Sequence, residues 1–269
     1  MKNESFPKIV FHNPFKPSLN HSFLMKALIL AAGYATRLYP LTENQAKPLL
    51  KVGNKTIIEH ILEKIKKVDT ISQISIITNH RFYPQFVQWG KNYSSPQPIH
   101  IIDDGTCTNQ DRLGAVGDLH FFLRQEGLDD DLLVIAGDNL FGFSLQEFIS
   151  FYEKNKKSVV AFHDLKDKNK VKSRYGAGIL QGTKVVDFEE KPLDPRSSLA
   201  STACYIFTSQ DLHLVEQSIQ QGQADNPGDL IKYLVCHSTL HGFIFDHYWF
   251  DVGSVESLRD AEEVLADEN

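Results

Sequence analysis

Residues 26–50 read Lys26-Ala27-Leu28-Ile29-Leu30-Ala31-Ala32-Gly33-Tyr34-Ala35-Thr36-Arg37-Leu38-Tyr39-Pro40-Leu41-Thr42-Glu43-Asn44-Gln45-Ala46-Lys47-Pro48-Leu49-Leu50. No other stretch limits the fold as much. It opens on an unbroken apolar run, residues 27–32, closed by Gly33. So short a run with no polar face predicts a strand buried on both sides of a sheet. A loop of small residues follows, with Arg37 as its cation, and ten residues later Lys47 is held beside Pro48. Small residues let backbone N–H groups approach a phosphate. An arginine and a lysine can then divide the charge of a polyphosphate. Taken alone, the loop also reads as a strand, a turn and two surface cations. No Gly-Lys-Ser/Thr follows, so it is not a Walker A loop. Gly33 is its only glycine, so it is not the dinucleotide fingerprint either.

The 269 residues suffice for one large α/β domain or two small ones. The formal net charge is −6 and no long basic run exists, which argues against a nucleic-acid partner. An acidic chain that binds anions must gather cations locally, which singles out Arg37, Lys47 and Lys191. Cys107, Cys204 and Cys236 are far apart, with neither metal spacing nor a paired framework. That points to a reducing, cytoplasmic setting. No apolar run reaches transmembrane length, so no membrane association is expected. Residues 1–24 carry Pro7, Pro14 and Pro17 among scattered charges and lack an apolar core, so they read as an irregular N-terminal extension rather than a secretory signal. Met25, directly before the first strand, is a candidate second start.

Beyond Lys47 the pattern alternates. Helices are expected at 56–68, 81–91 and 114–125, and strands at 73–78, 98–103 and 131–136. This is the rhythm of a doubly wound, mainly parallel sheet. Asp138 directly follows the last of these strands. It falls at the carboxyl edge of the sheet, where open α/β folds bind ligands. There a carboxylate can hold Mg²⁺, with phosphate oxygens and waters completing the shell. Residues 104–118 form a polar loop ahead of a helix that starts at Gly114, and a glycine there permits close ligand approach. From about residue 143 the chain becomes β-rich. Lysine-rich residues 166–172 read as a solvated loop. A hairpin ends in Glu189-Glu190-Lys191-Pro192, a strand covers 201–208, and a last helix covers 255–266. A single domain over 25–269 is expected, with a nucleotide-binding half over about 25–142 and a sugar-binding half over about 143–269.

The opening stretch resembles the signature of sugar-1-phosphate nucleotidyltransferases, L-A-A-G-x-G-T-R-L-x-P-L-T followed by K-P-L-L, with Ala35 where a second glycine is usual. Four later elements match in order. Leu113-Gly114-Ala115-Val116-Gly117 is similar to the loop that wraps the nucleobase. Ala136-Gly137-Asp138-Asn139 is similar to the G-D-N metal motif. Tyr175-Gly176 with Glu189-Glu190-Lys191-Pro192 resembles the Y-G and E-E-K-P elements. Trp249-Phe250-Asp251-Val252-Gly253-Ser254 resembles W-x-D-V-G-T. The resemblance implies a Rossmann-like nucleotide-diphospho-sugar transferase fold with a smaller β-rich sugar-binding part. It places the nucleotide on Leu30, Ala31, Ala32, Gly33, Asn109 and Gly114. It places the sugar phosphate on Tyr175, Gly176, Glu190 and Lys191. Asp138 and Asp251 become the ligands of Mg²⁺, and Arg37, Lys47, Asp138 and Lys191 the catalytic set.

The implied reaction joins an NTP and a sugar 1-phosphate into an NDP-sugar and pyrophosphate, a step of nucleotide-sugar biosynthesis. Asn109 can offer both a donor and an acceptor to a pyrimidine edge, so UTP or dTTP with glucose 1-phosphate is the favoured pair. Two alternatives stay open: cytidylyl transfer to phosphocholine or another alcohol phosphate, and a non-catalytic regulatory subunit that binds nucleotide sugars. A homo-oligomer is compatible with the sequence.

Overall fold

Residues 8–11, 24–127, 130–222 and 225–266 are described by the structure, a computed structural model. The apolar run forms β2 (Met25–Leu30), preceded by β1 (Lys8–Phe11). Ala27, Leu28 and Ile29 are wholly buried, because β2 lies in the middle of the sheet with helices on both faces. A two-strand hairpin, β3 (Lys51–Val52) and β4 (Lys55–Thr56), leads into α1 (Ile57–Ile65). Thr56 and Glu59 make a reciprocal capping box at the start of α1. Its stripe Ile57, Ile58, Ile61, Leu62 and Ile65 is buried throughout. Then come β5 (Ile71–Thr78), α2 (Tyr83–Gly90), β6 (Ile99–Asp103), α3 (Ala115–Glu126), β7 (Leu132–Ala136) and β8 (Asn139–Phe141).

The second part holds α4 (Leu145–Asn155), β9 (Val159–Asp164), α5 (Lys168–Val171), β10 (Ala177–Gln181), β11 (Lys184–Glu189) and β12 (Leu199–Phe207). It closes with α6 (Ser209–Gln220), α7 (Pro227–His237), β13 (Leu240–Phe245), β14 (Trp249–Asp251) and α8 (Val255–Ala266). The lysine-rich stretch is thus not all solvated loop: α5 forms within it because Val171 is wholly buried.

Among the described residues one sheet runs β1-β6-β5-β2-β7-β12-β10-β11-β13-β9. Its centre, β6-β5-β2-β7, is parallel. Antiparallel strands flank that centre, and the whole is the mixed α/β sheet expected from the sequence. Residues alternate along β2, so Ala27 and Ile29 enter one core with α1 and α4, while Leu28 enters the other with α3, α6 and α7. The pairings β12–β9, β9–β13, β13–β11, β11–β10 and β10–β12 return to their start, so these five strands close on themselves. Finally α8 packs beside the β3–β4 hairpin through Ala261 and Leu265, which share a core with Leu50, Val52 and Ile57.

The chain before Met25 departs from an irregular extension. Lys8–Phe11 pairs antiparallel with β6, Lys8 opposite Ile102 and Phe11 opposite Ile99. Phe11 sits against Gly90, where a Cβ would come within 2.6 Å of its ring. The Lys8 ammonium pairs with Glu126 of α3. Edge pairing plus one aromatic anchor is enough to order four residues, and it covers an otherwise open strand. Apart from Leu24, the remaining residues of the extension lie outside those described.

The loop after β2 turns at Ala35, which takes a left-handed conformation, φ 48° and ψ 42°. The Thr42 hydroxyl donates to the Ala35 carbonyl at 2.7 Å and holds that turn. A left-handed alanine costs about 1–2 kcal/mol.

Two stability experiments follow from these positions. Phe11→Ala is expected to lower unfolding stability by about 1–2 kcal/mol, less than full burial of a Phe would give. Urea denaturation identical to the parent would show that β1 contributes nothing. Ala35→Gly is expected to stabilise by about 1 kcal/mol, because glycine relieves the positive φ. A lower melting temperature in that variant would show that the turn is not strained.

Candidate active site

Between β2 and β7 the chain order of the parallel strands reverses, and a crevice opens beyond their carboxyl ends. Leu30, Ala31, Ala32, Gly33 and Ala35 form one wall, and Ala136, Gly137 and Asp138 the facing one. The two strand ends touch closely. A Cβ on Gly137 would come within 2.9 Å of the Leu30 carbonyl and 3.2 Å of the Pro48 ring. The Ala32 carbonyl accepts from Asn79 Nδ2 at 2.8 Å, which fixes the wall from behind.

Asp138 leaves β7 into this crevice. The ladder between β8 and β14 sets Asp251 opposite Asn139, and the Val252 amide donates to the Asp138 carbonyl at 3.1 Å. Two carboxylates far apart in sequence thereby become neighbours. Burial, and then the charge of Asp138, push the Asp251 carboxyl above its usual range. Lys47, Lys191 and Arg37 pull it back down. Lys47 Nζ lies 2.5 Å from Asp138 Oδ2. Arg37 is exposed on the short 3₁₀ turn Thr36–Leu38 and stands outside the lining of the crevice, yet within electrostatic reach of Asp251. Lys191 lines the crevice from the far side, half exposed, 3.4 Å from Glu190 Oε1. The three cations and two aspartates singled out by the sequence therefore converge.

On the β-rich side, Tyr175, Gly176, Glu190 and Lys191 all line the same crevice. Glu190 is buried enough to raise its carboxyl pKa, an effect that Lys191 opposes. It lies against the first turn of α7: a Cβ on Gly228 would come within 1.7 Å of Glu190 Oε2. Gly176 serves packing too, since its Cβ would meet the Phe188 ring at 2.3 Å. Ser201, Thr202 and Ala203 of β12 and Trp249 of β14 complete this wall, with Tyr175 and Trp249 edge to face at 4.8 Å. Buried Asn139 joins the two strands: its amide nitrogen donates to the Thr202 carbonyl, and its Oδ1 accepts from Trp249 Nε1 at 3.1 Å.

The third end of the crevice is lined by Asp104, Arg112, Gly114, Ala115 and Asp118, with Asp225 and Pro227 facing them. Gly114 takes φ 78° and starts α3 there. Asn109, the residue expected to read the base, is not among the lining residues. Asp111 accepts from the amides of Cys107 and Thr108, at 3.1 and 2.7 Å. This closes the loop on itself, with Asn109 holding Arg112 through its carbonyl. Asp225, just before α7, pairs with Arg112 at 3.0 Å, and its carbonyl accepts from the Ala115 amide. The buried Asp104 and Asp118 were not singled out by the sequence reading. An acid in the first turn of a helix and another at a strand end are ordinary there, so neither carried a signal.

Metal fit can be judged from the donors. Among the described residues no cluster of three or more His, Cys, Asp or Glu side chains could hold a metal ion. Asp138 and Asp251 nevertheless form a mutually repelling oxygen pair on an open crevice, a donor set suited to a hard cation that completes its shell with ligand oxygens and water.

The family model described as Nucleotidyl transferase matches residues 26–268. Among curated relatives, the bifunctional protein GlmU of Methanocaldococcus jannaschii is 30% identical over 90% of this chain. The chain spans only 55% of that relative's length. The glucose-1-phosphate adenylyltransferase of Clostridium novyi is 30% identical over 90% of this chain and 67% of the relative. A crystal structure of a provisionally assigned glucose-1-phosphate thymidylyltransferase from Bacillus anthracis, solved with sucrose, superposes with a TM-score of 0.79 at 26% identity. It covers 91% of this chain and 96% of that one. A UDP-glucose pyrophosphorylase bound to UDP-glucose shares the fold, with a TM-score of 0.75 at 20% identity over 92% of this chain and all of that one. The match over almost all of the described residues places the chain in the nucleotidyl transferase family.

Proposed function

We propose that this protein transfers a nucleotidyl group from an NTP to a sugar 1-phosphate, releasing pyrophosphate. The convergence of Arg37, Lys47 and Lys191 on Asp138 and Asp251 carries the reading. A polyphosphate and a phosphate monoester must be brought together there despite like charge, and three cations around one carboxylate pair answer that need. Two of the relatives are named for glucose 1-phosphate, which makes it the first acceptor to test.

The chemistry asks little of the protein beyond placement. A phosphate monoester is largely dianionic at neutral pH, so its oxygen attacks the α-phosphorus without a general base. The new O–P bond forms as the α–β bridging bond breaks, and pyrophosphate leaves with the electron pair. In this scheme Lys191 orients the attacking phosphate, and Glu190 accepts from a sugar hydroxyl. Lys47 exchanges its hold on Asp138 for the phosphate under attack. Arg37, at the rim, takes the departing pyrophosphate. A divalent cation such as Mg²⁺ held by Asp138 and Asp251 would add charge neutralisation at the transferring phosphoryl group. Holding both reactants in line is worth several kcal/mol of the barrier.

A panel of NTPs against glucose 1-phosphate and other sugar 1-phosphates, read out as pyrophosphate, tests the activity. Binding of the substrates without pyrophosphate release would assign a sensor instead. Asp138→Asn and Asp251→Asn should each reduce turnover about 10²-fold or more at saturating Mg²⁺. Near-parental turnover in either would remove that aspartate from the site. Lys191→Ala and Arg37→Ala should separate the two substrates. Removal of a charge-assisted contact costs about 10- to 100-fold in affinity. Nucleotide binding measured calorimetrically without sugar phosphate should weaken in Arg37→Ala and survive Lys191→Ala; the opposite pattern would overturn the assignment.

A further inference from the structure

Asp104, just beyond the end of β6, and Asp118, in the first turn of α3, are each only 5% exposed and line the crevice beside Gly114 and Ala115. Asp104 Oδ1 is satisfied by the amide and hydroxyl of Thr106, at 2.7 and 2.8 Å. Asp104 Oδ2 and Asp118 Oδ1 have no protein donor. The two carboxyls lie against each other, and neither forms an ion pair among the described residues, although His80, paired with Asp103, is within electrostatic reach of Asp104. Burial pushes both pKa values up; Asp104 adds to the rise at Asp118, whereas at Asp104 hydrogen bonds from Thr106 and Asp118 oppose it and the charge of Asp103 adds to it. Two unbalanced charges this close would be very costly. A proton shared between the facing oxygens, leaving one negative charge, is the arrangement that avoids this cost.

Such a pair is an expensive way to fill space, and it faces the one end of the crevice that the phosphate-handling residues leave free. This argument rests on the reading of the crevice as an NTP site. The nucleobase then enters between Leu30 and the Gly114–Ala115 turn, with its polar edge toward the acids. Adenine, cytosine and guanine all carry an exocyclic amine that donates to a carboxylate. The ring nitrogen beside that amine accepts a hydrogen bond from the shared proton in adenine and cytosine, and adds a second donor in guanine. Uracil and thymine offer one N–H between two carbonyl oxygens, and those oxygens would meet a buried negative charge.

We infer that Asp104 and Asp118 form the base-reading pair of this protein and select NTPs whose base carries an exocyclic amino group over UTP and dTTP. The preference for UTP or dTTP expected from Asn109 is replaced by its opposite.

Calorimetric titration of the full chain with ATP, GTP, CTP, UTP and dTTP, with Mg²⁺ and without sugar phosphate, tests this. At least one of ATP, GTP and CTP should bind about 10²-fold more tightly than UTP and dTTP, since a polar site left unpaired by the wrong base rejects it strongly. Asp118→Asn, or Asp104→Asn should the first variant fail to fold, should reduce that ratio to within a few-fold. UTP or dTTP binding as tightly as the best amino-bearing NTP would overturn the inference and leave the nucleotidyl-transfer reading intact. Full discrimination retained in a folded Asp118→Asn would show that another group reads the base. A folded protein that binds none of the five would overturn both readings at once.

Discussion

The charge balance around Asp251 is what the rest of the site is arranged to maintain. Its carboxylate is buried beside a second carboxylate, a placement that costs several kcal/mol when uncompensated. Three cations from three separate parts of the chain offset it: Arg37 from the turn after β2, Lys47 from the turn before β3, and Lys191 from the end of the β10–β11 hairpin. Such a cluster is close to neutral without ligand. A divalent cation on the carboxylates, as proposed above, would free Lys47 and make the cluster strongly attractive to phosphate. In that reading a single ion pair, Lys47 with Asp138, separates the empty site from one that would take a polyanion.

That cluster exists only because the sheet brings its members to one edge. β2 and β7 are parallel neighbours, so the loops after both open on the same side. The β8–β14 ladder then returns Asp251 to Asp138, and α8 locks the ladder by packing on the β3–β4 hairpin near Lys47. Asn139 ties this corner to β12, whose residues wall the β-rich side of the crevice. Loss of packing at α8 would therefore be felt at the aspartates, although α8 itself lines none of the crevice.

Much of this was legible in the sequence, for a physical reason. A strand buried on both faces has no polar residue to confuse its pattern, so β2 was evident, and with it the crevice at its end. The five motifs are short and rigid, and each keeps its residues together wherever the fold puts them. What escaped was whatever depended on distant partners. β1 is four residues long and ordered only by β6 and Gly90. Asn109 had suitable chemistry, but Asp111 closes the loop on its own amides and holds Asn109 away from the crevice. The Asp104–Asp118 pair could not be seen, because neither residue is unusual where it stands and only their meeting is.

The walls of the crevice also hold backbone that is not at rest. Ala35, Lys191 and Ala203 all have positive φ, between 44° and 51°, and each lines the crevice. Side chains with a Cβ avoid that region at a cost of about 1–2 kcal/mol each. Strained residues persist where their surroundings over-determine them. Around Ala35 and Ala203 those surroundings are visible: Thr42 on the Ala35 carbonyl, and Thr202, anchored on the Ala161 carbonyl, just before Ala203. At Lys191 the same twist turns the chain out of the hairpin, so that the ammonium and the preceding Glu190 both address one crevice. In a regular strand, consecutive side chains would point to opposite faces. The positive φ is what allows an acid and a base adjacent in sequence to face one crevice.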